Sequence, residues 1–259
     1  MPTPMDHGME GVRLAWHRSA PELAFAANSI SLLMPYVEPY IVRSMRSALD
    51  DLDGPLRAQT VEFMEEELAH HVRHRRFNDE LAAQCPGIRR IERWMHRTYR
   101  WLGRSRSRRF NVAFAASSEA IAFGIARWVD ANVSVLFDDA DRDVADLYLW
   151  HLAEEVGHKA AAFEVFEALD GSRARYAATA ALSLLLLIGF SFAGTMAMLA
   201  STGRWRSPVA WFRLTRWSLS LAFTMLPLLA ASCLPGHHPS TLADPGYLTQ
   251  WRRGAGVPL

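Results

Sequence analysis

Apolar positions recur along the chain at three- and four-residue spacing, while the alternation of a half-buried strand never persists, so the pattern predicts an all-α protein. A helix is expected from about 36 to 49, entered through Pro35, with Pro39 tolerated near its first turn. Asp51-Leu52-Asp53-Gly54 forms a turn, and Pro55 opens a long helix to about 83, closed by Cys85-Pro86-Gly87. A shorter amphipathic helix is expected over 88–102 and another long one over 107–136. A third begins at Asp138, Asp139 and Asp141 and runs to 169, where Asp170-Gly171 stops it. Two strongly apolar helices follow at about 175–200 and 208–234, and the tail, with Pro235-Gly236, Pro239 and Pro245-Gly246, is expected to be irregular. Residues 1–259 read as a single helical metal-binding domain, with a core over 29–170 and an apolar hairpin over 175–234.

The chemistry lies in two of these helices. Glu67 precedes His70 by three residues, and Glu155 precedes His158 by three, so each pair presents one carboxylate and one imidazole on one helix face. Carboxylate oxygens bridge metal ions and imidazole donates a neutral nitrogen, which suits a borderline metal. The helix before each motif supplies a further glutamate, Glu38 and Glu119. Glu119 is the only charge between Arg109 and Arg127, and an isolated carboxylate on an apolar helix is costly to bury unless it is bound. The order Glu, Glu-x-x-His, Glu, Glu-x-x-His, one element per long helix, predicts a ferritin-like four-helix bundle holding two metal ions, iron in preference to manganese or zinc. His151 and His74 extend the same faces by one turn. His151, beside Trp150 and Leu152, is taken as a further ligand, and His74 and Glu154 as additional ligands or as groups behind them. His71 points off the ligand face, and Glu65 and Glu66 read as solvated or supporting.

The segments PYVEPYIVRSMR, FMEEELAHHVRHRRFN, the isolated Glu119 and LWHLAEEVGHKAAAFEVF resemble the bacterial family of predicted metal-dependent hydrolases, and PGHHP near the C-terminus resembles a further signature of it. The resemblance runs from about Ser29 to His238. Val37 stands where the family commonly has glycine, and Glu66 where it commonly has glutamine. The run His151-x-x-x-Glu155-x-x-His158 is also similar to that of di-iron arylamine N-oxygenases, which implies iron and dioxygen by analogy.

Charge and composition narrow the surroundings. Of 28 basic residues Lys159 is the only lysine, and 27 acids leave a net charge of +1. Cys85 and Cys233 have no framework spacing, which fits a reducing compartment, and the first residues carry Asp6 and Glu10 without an apolar run, so the chain reads as cytoplasmic with no secretory signal. No charge occurs between Arg175 and Arg204, and 176–203 and 217–234 are long enough to span a membrane, to lie in its surface, or to cover the bundle. Arg204, Arg206, Arg213 and Arg216 would then lie across the membrane from a cytoplasmic domain, which the positive-inside tendency opposes, so burial or interfacial contact is preferred to spanning. Nine arginines between 89 and 109, with Ile88, Ile91, Trp94, Met95, Trp101 and Leu102 as a stripe, make a basic crossover helix. It suits an anionic membrane surface or a solvated crossover equally. Nucleic acid is not expected, since no recognition motif accompanies the charge. A homo-oligomer is compatible with all of this. The expected activity is a di-iron oxidase, oxygenase or desaturase acting on a hydrophobic or lipid-like small molecule. A two-metal hydrolase is the alternative, and a non-catalytic metal-binding protein the second.

Overall fold

A computed structural model describes residues 9–253. Among them there are no strands, and the all-α expectation holds. The helices are α1 (Pro21–Ser31), α2 (Met34–Arg46), α3 (Gly54–Gln84), α4 (Ile88–Ser105), α5 (Arg108–Asp130), α6 (Val133–Phe137), α7 (Arg142–His158), α8 (Ala161–Leu169), α9 (Arg173–Ser201), α10 (Pro208–Ser232) and α11 (Gly246–Arg252). The helix α5 lies at the centre of the packing, against α2, α7, α8, α9 and α10, while α2 lies along α3.

Several boundaries differ from expectation. The helix α1 was not anticipated, although Pro21 at its first turn followed by Glu22 is a start signal. The single helix expected over 107–136 is broken at Ala131-Asn132, where the Asn132 side chain donates to the Trp128 carbonyl and competes with the helical ladder. The one expected from Asp138 to 169 is broken at Lys159-Ala160. There the Lys159 ammonium donates to the Leu242 carbonyl and pairs with Asp244, so the distant tail fixes the break. That tail is itself partly helical, as α11.

Pro39 sits inside α2 and cannot donate to the Pro35 carbonyl four residues back. The helix nevertheless continues through Glu38 to Arg46, with the half-buried His71 of α3 lying near Pro35.

The helix α9 is packed inside out. Between Tyr176 at one end and Met198 and Leu199 at the other, its inward residues are small or polar: Thr179, Ala180, Ser183, Gly194 and Thr195. The Thr179 hydroxyl accepts from Ser117, and Ser183 and Thr195 share hydroxyl hydrogen bonds with Ser118 and Ser29. Leu185, Ile188 and Phe192 face outward, as do Phe212, Leu219 and Phe223 of α10. Burying each such side chain is worth about 1.5–3 kcal/mol, which this surface forgoes in water. Close approach of α9 to α1 depends on Gly194, where a Cβ would lie 2.7 Å from Ser29 Oγ and 3.4 Å from Ser29 Cα. Gly194→Val is therefore expected to destabilise the chain by about 1–3 kcal/mol, seen as a Tm lowered by roughly 2–4 °C per kcal/mol in thermal unfolding.

Two expectations about the arginines are refined. Arg204 and Arg213 reach back to the fully buried Glu22, at 3.1 and 2.9 Å, and tie α10 to α1. In α4 the buried stripe is Ile88, Ile91, Met95, Tyr99 and Leu102. Trp94 and Trp101, expected on it, stand about half exposed, with Arg90 and Arg106 stacked on them.

Candidate metal centre

Four glutamates and four histidines meet in the interior. Glu38 comes from α2; Glu67, His70 and His74 from α3; Glu119 from α5; His151, Glu155 and His158 from α7. All eight are buried. Three-residue spacing aligns Glu67 with His70 and Glu155 with His158, as the sequence predicts. Ligand atoms of these four lie within 4.8 Å of one another, and those of Glu38, His70 and His151 form a second such group. Glu119 belongs to neither group, but it lines the same cavity of about 70 Å³ as Glu38, Glu67, His151 and Glu155.

The polar atoms of this cluster are incompletely satisfied. Both oxygens of Glu38, Glu67 Oε1, Glu119 Oε2, Glu155 Oε2, His70 Nδ1 and His158 Nδ1 are buried without a hydrogen-bond partner. Buried carboxylates and imidazoles are ordinarily paired, so seven orphaned atoms facing one volume call for a ligand. The donor set, mainly hard oxygen with some imidazole, fits two divalent ions of the iron, manganese or zinc kind.

The two histidines of the motifs are held by a crossed exchange. His70 Nε2 on α3 bonds Glu154 Oε2 on α7 at 3.0 Å, while His158 Nε2 on α7 bonds Glu66 Oε2 on α3 at 2.8 Å. Each carboxylate immediately precedes its own helix's ligand glutamate and reaches over to the other helix's ring. With Nε2 thus occupied as donor, each Nδ1 is left to the interior: His70 Nδ1 lies 3.5 Å from Glu155 Oε1, and His158 Nδ1 lies 3.0 Å from Glu67 Oε1. The doubled Glu-Glu-x-x-His pattern carried this signal, but which helix each first glutamate served could not be read from one strand of sequence.

His74 stands behind His151 rather than in the cluster. Ser31 donates to Asn78 Oδ1 at 2.7 Å, so its oxygen accepts from His74 Nδ1 at 2.7 Å. His74 Nε2 then accepts from His151 Nδ1 at 2.9 Å, and His151 turns Nε2 toward Glu155 Oε1 at 3.2 Å. The chain of hydrogen bonds selects the His151 tautomer whose free lone pair faces the site. Burial and the neighbouring histidines keep His74 and His151 below the ordinary imidazole range, hence neutral, as this relay requires. Replacing His74 with alanine is expected to weaken metal binding about 10–100-fold while leaving the number of ions per chain unchanged. Competition against a chromogenic chelator measures both.

The charges of the cluster balance internally. Burial, reinforced by Glu67, raises Glu38 well above the usual carboxylate range, and burial with Glu155 does the same to Glu119. For His70, burial acts downward but is outweighed by Glu154 and Glu67, which lift it to about 10. His158 is raised in the same way by Glu155, Glu66 and Glu67 against the opposing effect of burial. Burial also acts to raise Glu155, yet the protonated His158 beside it holds it well below the usual range. Without cations, therefore, protons on two glutamates and two histidines neutralise the buried charge.

A cavity of about 170 Å³ adjoins the cluster, with His74, His151 and Tyr148 at one side and Trp16, Trp128 and Trp217 among its walls. Ile30, Met34, Ala122, Ile125 and His151 line both this cavity and the smaller acidic one. Alanines at 26, 27 and 122 are what leave the space open.

A family model described as predicted metal-dependent hydrolase matches residues 3–243. No curated protein and no solved structure gives a significant match.

Proposed function

The chain belongs to the predicted metal-dependent hydrolase family, and from that premise we propose that it is a dinuclear-metal enzyme, loaded with iron, that uses dioxygen to oxidise an apolar small molecule. The observation that carries the reading is the apolar cavity sharing a wall with a buried cluster of four carboxylates and three imidazoles. The ligands are Glu38, Glu67, His70, Glu119, His151, Glu155 and His158. When bound there, a ferrous pair would supply the electrons that reduce and so activate dioxygen.

The remaining work falls to the chain. Glu66 and Glu154 orient His158 and His70, and the Asn78–Ser31–His74 relay orients His151. The tryptophans and aliphatic side chains of the larger cavity admit an apolar substrate beside His151 and exclude water from it. The outward apolar faces of α9 and α10 support contact with a bilayer, from which such a substrate partitions. Of the three helices long and apolar enough to cross a membrane, α5 is mostly buried and carries Glu119, whereas the apolar windows of α9 and α10 are only 28% and 11% buried. An interfacial placement on a cytoplasmic face accommodates both.

A two-metal hydrolase is the second reading, favoured by the family's description. There the same glutamates and histidines would hold two ions that polarise the scissile bond and lower the pKa of a bound water. Loading the full chain anaerobically with ferrous iron and then admitting air separates the two. Oxygen uptake with a ferric charge-transfer absorption supports the first reading. Full turnover of an ester or amide probe with zinc and without oxygen establishes the second. Iron uptake far above two ions per chain would contradict both and indicate storage.

A further inference from the structure

Away from the metal cluster, α2 and α4 face each other across a cleft of about 650 Å³. The α4 residues that line it, His96, Tyr99, Arg100, Gly103 and Arg104, recur at three- and four-residue spacing and so form one stripe of the helix. Arg43 projects from α2, and Arg106 and Arg108 close the end where α4 turns into α5. Five arginines and a histidine therefore surround the cleft, and no aspartate or glutamate is among its lining residues.

The carboxylates near it are already engaged. Glu92 is held by Arg75 and Arg89, and Asp51 by Arg108. Arg106 lies over the rings of Trp101 and Phe110. Arg43, Arg100 and Arg104 have no carboxylate partner among the described residues. Partial burial pulls Arg43 below the ordinary guanidinium range, the expected mark of a cation lacking a counter-charge. Tyr36 and Tyr40 also line the cleft, and Tyr40 is anchored by donating to Asn111 Oδ1 at 2.8 Å. Like charges gathered around a concave surface focus a positive potential within it. Guanidinium forks match tetrahedral oxyanions bidentately, which suits a phosphoryl dianion better than a single carboxylate.

We propose that the cleft between α2 and α4, walled by Arg43, His96, Arg100, Arg104, Arg106 and Arg108, is a binding site for a phosphoryl group. The group arrives either on a soluble phosphorylated molecule or as a lipid headgroup, and the site operates independently of the metal cluster. The exposed Trp94 and Trp101 on α4 and the apolar faces of α9 and α10 make the headgroup source structurally accessible. The cleft chemistry is the same in both cases.

Two triple variants of equal charge loss test this on the full chain. R43Q/R100Q/R104Q strips the unpaired cleft arginines, and R90Q/R93Q/R97Q removes three arginines of α4 that do not line the cleft. Far-UV circular dichroism establishes that both retain their helices. The probes are inorganic pyrophosphate, followed by calorimetry, and vesicles of phosphatidylcholine with or without phosphatidic acid, followed by flotation. Charge-assisted hydrogen bonds are worth about 1.5–3 kcal/mol each, so the cleft variant is expected to lose at least about 30-fold in affinity while the control stays within about threefold. Cleft-dependent pyrophosphate binding assigns a soluble ligand. Silence with pyrophosphate, together with cleft-dependent flotation that requires phosphatidic acid, assigns the headgroup. No binding of either probe, or equal loss in the two variants, overturns the site.

Discussion

Glu155→Ala is expected to lose both metal ions, with affinity reduced at least about 100-fold, more than replacing a residue that only supports a ligand. The reason is position. Glu155 Oε1 lies 3.2 Å from His151 Nε2, 3.5 Å from His70 Nδ1 and 3.8 Å from His158 Nδ1, so one carboxylate joins both groups of candidate ligands. No neighbour can substitute, because Glu154 is committed to His70 Nε2 at 3.0 Å. The metal-free variant should also be less stable than the metal-free parent, by about 3–5 kcal/mol, since removing Glu155 leaves the buried His70 and His158 cations short of a counter-charge. Metal analysis after loading and desalting, alongside thermal unfolding of the metal-free chains, checks both halves. Glu65→Ala, on the same stretch of α3 but exposed, should leave both unchanged. A Glu155→Ala chain that kept two ions would refute the ligand assignment.

The second large effect is a steep dependence of metal binding on pH. In the metal-free chain Glu38 and Glu119 are raised well above their ordinary 4.5, which favours their protonated forms. His70, lifted from 6.5 to about 10, and His158, also well raised, are protonated as well. Bound cations need these glutamates ionised and these histidines neutral, so two divalent ions displace about four protons. Apparent affinity must therefore rise with pH across neutrality, by up to about tenfold per pH unit for each displaced proton. The sign for folding is consistent. A histidine raised on folding stabilises the metal-free chain below pH 6.5, and that contribution fades as pH passes about 10. The two raised glutamates favour the folded chain at acid pH, and their contribution declines as pH rises above 4.5, where the unfolded chain ionises first. Titrating metal into weakly buffered protein at pH 7 with an indicator dye counts the protons. Release of about four per two ions is expected, and release of none would mean the ions bind elsewhere.

How far the sequence anticipates this arrangement differs between its parts. Glu67 with His70 and Glu155 with His158 are legible because three-residue spacing is a local property of any helix. Glu119 follows from being the lone carboxylate on an otherwise apolar helix, and Glu38 from its place on the helix before the first motif. The supporting contacts are not local. Glu66 serves His158 and Glu154 serves His70, across two helices whose mutual register no single segment specifies. The selection of the His151 tautomer needs Ser31, which ends a helix, α1, whose buried face mixes Glu22, Asn28 and Ser29 with apolar residues and so hides its period. The break at Lys159-Ala160 contains neither glycine nor proline, and it is imposed by Leu242 and Asp244 from the far end of the chain. Trp94 and Trp101 were misplaced because apolar type was read as burial. The true stripe of α4 takes Tyr99 in their stead, which leaves both tryptophans on the surface.

Everything functional in the proposal depends on α2, α3, α5 and α7 directing their carboxylates and imidazoles at one interior volume fit to hold two ions. Anomalous diffraction at the absorption edge of the loaded metal tests this most directly. The expected map has two peaks about 3.5–4 Å apart, enclosed by Glu67, His70, Glu155 and His158 and flanked by Glu38, Glu119 and His151. A single peak, or peaks only on the surface of the bundle, would contradict it.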